Sequence, residues 1–160
     1  MVFIKMLVIS TFLITCAIIA YTDIQKQTIY NEAVAVLLVP AIVSFFVFPE
    51  IGVASRLLGA ASVSGMMLLM SLLIPGAFGG GDIKLMVPVG LFLGFQRTLL
   101  AGMLAVLSGG LWAIVVLVRR YFRRHAIDTA CGMKFPFGPV LCIGSMAALL
   151  AGEKVLDKVL

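Results

Sequence analysis

Apolar blocks recur along this chain from its first residue to its last. Runs free of any charged residue occupy 6–22, 33–49, 57–81, 85–96, 98–118 and 135–152. Most of them match the roughly 20 residues a helix needs to cross a bilayer core of about 30 Å. The run 85–96 is short, yet 85–118 taken as one helix would be far too long. Gly94-Phe95-Gln96-Arg97-Thr98 supplies a polar break in the middle, so the pattern predicts two helices joined by a tight turn. The expected architecture is all-α and integral to the membrane, a bundle of six transmembrane helices forming one domain over residues 1–160. Pro40 and Pro88 fall inside spans, where neighbouring helices can re-satisfy the carbonyls that a proline frees.

Composition narrows the class. With 62% hydrophobic residues, 12% charged residues and a mean hydropathy of +1.20, the chain cannot cover a water-facing surface with polar groups. The formal charge of +5 does not point to a nucleic-acid partner, because Arg119, Arg120, Arg123 and Arg124 cluster directly after an apolar run. That placement fits the cytoplasmic side of a membrane, with anionic lipid headgroups as neighbours. If the loop of about 119–134 is cytoplasmic, the loops 21–32 and 76–84 share its side and both termini face out. Lysine and arginine then number seven inside and five outside. The first run, Val2 to Ala20, lacks a convincing cleavage site and is expected to be a retained helix.

Two acids stand out against this background. Asp23 follows the first span and Asp82 opens the fourth, and the topology places both at one membrane boundary. A carboxylate in the bilayer costs about 2.5–3.5 kcal/mol on insertion scales, so such groups usually face a partner or a cavity. A helix from Asp82 to Gln96 covers only about 22 Å at 1.5 Å per residue, which draws Asp82 below the interface. Gly76-Ala77-Phe78-Gly79-Gly80-Gly81 precedes it, offering no Cβ atoms on its glycines to block the approach of an extended peptide. Two carboxyls sharing one proton in an apolar site can hydrolyse a peptide, one deprotonating water while the other protonates the scissile carbonyl. The plainer reading takes Asp23 and Asp82 as interfacial residues and the glycines as a loop or a close helix contact.

These residues resemble a known family. Gly79-Gly80-Gly81-Asp82 is similar to the GxGD motif of intramembrane aspartyl proteases, and its continuation Ile83-Lys84-Leu85 resembles the prepilin peptidase version. Asp23-Ile24-Gln25-Lys26-Gln27-Thr28-Ile29-Tyr30-Asn31 resembles that family's other signature, with Tyr30 where proline is common. Phe135-Pro136-Phe137-Gly138-Pro139 resembles the element that opens the last helix in these peptidases. The resemblance implies Asp23 and Asp82 as catalytic groups, no metal and no cofactor. It implies a pilin or pseudopilin precursor with a short basic leader as substrate, cut at the cytoplasmic face of the inner membrane. Gly79, Gly81, Lys26, Lys84, Pro136 and Gly138 are expected to support the site or the substrate. Larger prepilin peptidases carry a cytoplasmic insertion with paired CxxC motifs and methylate the new N-terminus. The insertion is missing here, so the chain resembles the short forms of Flp/Tad-type pili, with archaeal preflagellin peptidases as the neighbouring alternative.

Other features take plainer readings. Cys16, Cys131 and Cys142 lack CxxC spacing and read as small core residues. His125 has no partner in sequence, and Trp112 and the methionines read as packing or lipid contact. Glu32, Glu50 and Asp128 read as solvated loop residues. Two other function classes stay open: an ion-coupled transporter using Asp23 and Asp82, and a non-catalytic membrane subunit of a secretion machine.

Overall fold

Each of the six charge-free runs carries a helix in the computed structural model, which describes residues 2–26, 28–74, 78–122 and 137–159. In chain order these are α1 (Val2–Lys26), α2 (Asn31–Val47), α3 (Val53–Leu73), α4 (Gly80–Leu93), α5 (Phe95–Phe122) and α6 (Gly138–Val159). No strand occurs among the described residues.

Helix ends depart from the run ends for local reasons. α3 stops at Leu73, well before its run does, because Pro75 disfavours helical geometry in the residue ahead of it. Ile74 is accordingly extended, with φ −126° and ψ 95°. The break expected over Gly94–Thr98 is compressed into Gly94 alone, at φ +76°, a backbone state that favours glycine. The Phe95 N–H donates to Ser55 Oγ at 3.1 Å, so Gln96, Arg97 and Thr98 already belong to α5. Pro40 and Pro88 are built into α2 and α4 without ending them.

α4 lies at the centre, packed on α2, α3, α5 and α6, while α1 rests on α2 and α6, and α5 bridges α3 and α6. The α3–α4 contact is backbone to backbone: a Cβ on Gly90 would lie 2.5 Å from Ala60 Cα, and one on Gly59 would lie 2.8 Å from the Gly90 carbonyl oxygen. Small residues at such crossings are the usual way for membrane helices to gain dispersion contact. Elsewhere the core is filled by side chains, with the Phe12 and Phe92 rings stacked at 4.0 Å. Cys16 and Cys142 are buried and unbridged within it; Cys131 lies outside the described residues.

α1 and α3 are each long and apolar enough to cross a membrane, whereas α2 is a shorter apolar helix. The outward faces carry large apolar side chains such as Phe3, Ile14, Ile18, Phe46, Leu69, Leu72, Leu107 and Ile114. Hydrocarbon, not water, solvates such a surface, and the chain is a membrane protein.

One charged residue behaves differently from its treatment as a topology marker. Arg56, in the first turn of α3, is 0% exposed and has no acid partner among the described residues. Its guanidinium donates to Ser44 Oγ at 2.6 Å, the Ser44 carbonyl at 3.0 Å, the Phe48 carbonyl at 2.8 Å, the Ile51 carbonyl at 3.1 Å and the Leu91 carbonyl at 2.8 Å. These oxygens lie at the C-terminal ends of α2 and α4 and in the loop between α2 and α3. Helix C-termini leave carbonyls without intrahelical donors and carry the negative end of the helix dipole. One arginine therefore satisfies both ends at once.

Candidate active site

At the end of the bundle opposite Arg56, the last turn of α1 and the first turns of α4 and α6 converge. Asp23 sits in that last turn of α1 and is 4% exposed. One of its oxygens, Oδ2, accepts the Gly138 backbone N–H at 3.2 Å. That amide is at the N-terminus of α6, where helix geometry leaves donors free. Phe135 and Pro136, the first half of the element around Gly138, lie outside the described residues.

α4 begins with two glycines, poor helix formers. The Asp82 carboxylate lies beside Gly79 at this start, where a Cβ on that glycine would come within 3.0 Å of Oδ2. The Asp82 and Ile83 amides bond the Gly79 carbonyl at 3.1 and 3.3 Å. The glycine run is thus less extended than its sequence suggests: Gly80 and Gly81 are helical, and only Phe78 and Gly79 among the described residues of the run lie outside α4. Asp82 is 8% exposed.

The two acids are neighbours. The charge of Asp23 acts on Asp82, and a single side chain, Ile29 in the α1–α2 turn, links their surroundings. A Cβ on Gly81 would lie 2.9 Å from Ile29 Cβ, and one on Gly138 would lie 3.1 Å from Ile29 Cδ1 and 2.6 Å from Asp23 Oδ2. Likewise a Cβ on Gly79 would approach Asp82 Oδ2 to 3.0 Å, whereas one on Gly80 meets nothing within 4 Å. Phe78 and Phe137, beside Gly79 and Gly138 in sequence, meet edge to face at 5.4 Å.

Neither neighbouring lysine pairs with an aspartate. Lys84 donates to Asn31 Oδ1 at the start of α2, 3.2 Å away. Lys26 lies over the Tyr30 ring, 5.4 Å from its centroid, and reaches its hydroxyl at 3.3 Å. Among the described residues the one ion pair is Lys5–Glu50 at 3.1 Å, at the far end. Ile29, Asn31, Phe78 and Phe137 are additions to the site that sequence reasoning did not single out. Ile29 and Asn31 fall within the stretch that follows Asp23, and the aromatics flank the glycines, which was the available signal.

No group of three His, Cys, Asp or Glu side chains among the described residues is placed to hold a metal ion. A cleft of about 430 Å³ lined by Glu50, Ser55, Gly94 and Arg97, among others, opens at the Arg56 end and includes neither aspartate. The chemistry available to Asp23 and Asp82 is that of two carboxyls at one end of the bundle, largely withdrawn from solvent and flanked by apolar side chains.

A profile of the type IV leader peptidase family matches residues 10–114, a stretch containing both aspartates and the glycine run. The chain belongs to that family. It is 30% identical over 141 residues to a prepilin leader peptidase/N-methyltransferase of Bacillus subtilis (strain 168), an alignment covering 88% of this chain and 54% of the relative. It is 27% identical over 157 residues to a prepilin leader peptidase/N-methyltransferase of Aeromonas salmonicida (strain A449), covering 92% of this chain and 50% of the relative. The chain spans about half the length of these curated relatives. No solved structure matches it.

Proposed function

We propose that this chain is an aspartic endopeptidase of six transmembrane helices in the inner membrane. It removes the short basic leader of Flp/Tad-like type IV pilin or pseudopilin precursors at the cytoplasmic face, without a metal or cofactor. The observation that carries this reading is the burial of Asp23 and Asp82, from separate helices, at one end of the bundle around Ile29, in a chain of the type IV leader peptidase family.

In the proposed reaction the pair holds one proton. The ionised carboxylate takes a proton from water as the water oxygen attacks the scissile carbonyl carbon, and the protonated carboxyl gives its proton to the carbonyl oxygen. Collapse of the tetrahedral intermediate breaks the C–N bond: the protonated carboxyl gives its proton to the leaving amine, a hydroxyl of the intermediate gives its proton to the other carboxylate as the new carbonyl forms, and the pair again holds one. Closeness of the acids favours proton sharing, since two neighbouring carboxylates resist simultaneous ionisation. Supporting roles fall to Gly79 and Gly81, which make room for the Asp82 carboxylate and Ile29. Gly138 gives Asp23 an amide donor. Lys84 ties α4 to α2 through Asn31, and Lys26 is a topology anchor.

The test is processing of a co-expressed pilin precursor, read by gel shift at matched membrane levels. Wild type is expected to convert the precursor, and Asp23→Asn and Asp82→Asn to leave it intact. Asparagine keeps volume and hydrogen bonding while removing the ionisable acid. Processing at the wild-type level by either variant contradicts the proposed pair. A chain that couples ion movement through these acids would cleave nothing, so the proteolytic readout separates the transporter class as well.

A further inference from the structure

The cleft at the end opposite the aspartates, about 430 Å³ in volume, has the size of a small-ligand site, and peptide hydrolysis gives it no task. It lies where the α2–α3 loop faces the turn from α4 into α5. Its polar lining is unequal. Acceptors there already have donors: Arg56 gives its Nε hydrogen to the Ile51 carbonyl and its backbone amide to the Gly52 carbonyl. The Gly94 carbonyl accepts both the amide and the hydroxyl of Thr98, and the Glu50 carboxylate is paired with Lys5 at 3.1 Å. Donors in the same lining are unspent. Arg97 is half-buried, and its guanidinium has no carboxylate partner, since Lys5–Glu50 is the one ion pair among the described residues. Ser55 Oγ accepts the Phe95 N–H at 3.1 Å, which leaves its own hydroxyl hydrogen to give. On its other side the cleft runs onto the apolar surface of α3. Leu58 belongs to both, and Val53 and Leu57 beside it are exposed.

We propose that this cleft binds the phosphate headgroup of an anionic phospholipid, Arg97 and the Ser55 hydroxyl donating to the phosphate oxygens while the acyl chains lie along Val53, Leu57 and Leu58. A guanidinium with no carboxylate partner matches a phosphate in charge and in the geometry of its donors. Glu50, the acid in the lining, does not oppose it, because Lys5 and Arg97 together outnumber it by one positive charge. An anionic lipid neutralises that excess, whereas a zwitterionic lipid brings a further cation to it. Continuity with the hydrocarbon-facing side of α3 favours a lipid over a free phosphate, which has no use for the apolar part. A bound lipid would join the α2–α3 loop to the start of α5 and stabilise the fold by mass action. The inference is independent of the peptidase reading.

The experiment titrates the full chain, purified and delipidated in a neutral maltoside detergent, with dioctanoyl phosphatidylglycerol. Native mass spectrometry counts the bound lipid, and the thermal midpoint is followed in parallel. One saturable lipid per chain is expected, with a midpoint that rises as the site fills. Arg97→Gln should weaken binding by about tenfold or more, as expected for a lost hydrogen bond between charged groups, with Arg97→Lys intermediate. Gly52→Leu tests shape without touching any charge: Gly52 lines the cleft, has open space where a Cβ would grow and an ordinary φ of −58°. It too should weaken binding by about tenfold or more, and both variants should melt at the wild-type temperature without lipid. Arg97→Lys and Gly52→Leu carry the comparison if Arg97→Gln does not accumulate. Dioctanoyl phosphatidylcholine, glycerophosphoglycerol and inorganic phosphate should each bind about tenfold more weakly than the anionic lipid. Absence of a saturable lipid on wild type, or unchanged affinity in Arg97→Gln or in Gly52→Leu, overturns the site. Phosphate or glycerophosphoglycerol binding as tightly as the lipid overturns the lipid assignment in favour of a soluble phosphate, and equal binding of phosphatidylcholine overturns the anionic one.

Discussion

Among the three consecutive glycines before Asp82, the middle one has open space where a side chain would grow, while Gly79 and Gly81 have Asp82 and Ile29 there. The spacing of a fixed glycine, a free position, a fixed glycine and an aspartate thus has a steric origin. Gly80→Ala should retain processing within about threefold of wild type, and a gain in helix propensity of roughly 1 kcal/mol offsets small losses in the first turn of α4. Gly81→Ala and Gly138→Ala force Ile29 or Asp23 to shift and should lower processing by tenfold or more, because misplacement by about 1 Å is worth up to 10²-fold in rate. Quantified cleavage at equal protein level distinguishes the two classes, and equal effects at Gly80 and Gly81 would show that the steric account is wrong. Asp82 also sits in the first turn of its own helix, where an acid is favourable, so alanine there confounds folding with chemistry. Asparagine does not, since it too serves helix N-termini.

At the level of elements, α4 is a short helix of 14 residues fixed at both ends. Bonds from the Asp82 and Ile83 amides to the Gly79 carbonyl hold its start, and its end is held by Arg56, Gly94 and the close α3 crossing. Removing Arg56 takes its donors from the Ile51 and Leu91 carbonyls, each costing about 1–3 kcal/mol when left without a donor, whereas the Ser44 and Phe48 carbonyls keep the Phe48 and Ile51 amides. Arg56→Met should therefore lower stability by about 3 kcal/mol or more, with Arg56→Lys intermediate because an ammonium lacks the planar fork. The loss is measured as earlier reaction of the buried thiols Cys16 and Cys142 on heating in detergent. Unchanged thiol protection in Arg56→Met would refute the capping role. The charge-free runs made the number and order of the helices legible, as did Gly94 for the α4–α5 break, because apolar length and a glycine at a polar break are local signals. Arg56 was not legible. A charge count registers its sign but not the five acceptors brought to it by α2, its following loop and α4. Ile29 and the Phe78–Phe137 pair escaped for the same reason: their partners are remote in sequence, and an isolated apolar residue in a mostly apolar chain carries no mark.

Across the whole molecule, the chain alternates between two ends. Asp23, Ile29, Asn31, Phe78, Lys84 and Gly138 gather at one end, while Lys5, Glu50, Arg56 and Gly94 gather at the other. The proposed cytoplasmic placement of the aspartate end rests on the positive-inside rule applied to the clustered arginines from Arg119 to Arg124. In a cysteine-free background, Thr28→Cys should react with an impermeant maleimide only from the cytoplasmic side and Gln96→Cys only from the outer side; both positions are exposed. The reverse labelling would invert the proposed topology. The central claim, that Asp23 and Asp82 act as one catalytic unit, is tested most directly by purified protein in lipid vesicles. The cleavage rate of a pilin precursor is compared among wild type, Asp23→Asn, Asp82→Asn and the double variant. The account predicts that each single substitution lowers the rate by about 10³-fold or more and that the double variant is no slower than either single, since groups acting as a unit are strongly non-additive. A single variant that keeps the wild-type rate, or losses that multiply in the double variant, would contradict it.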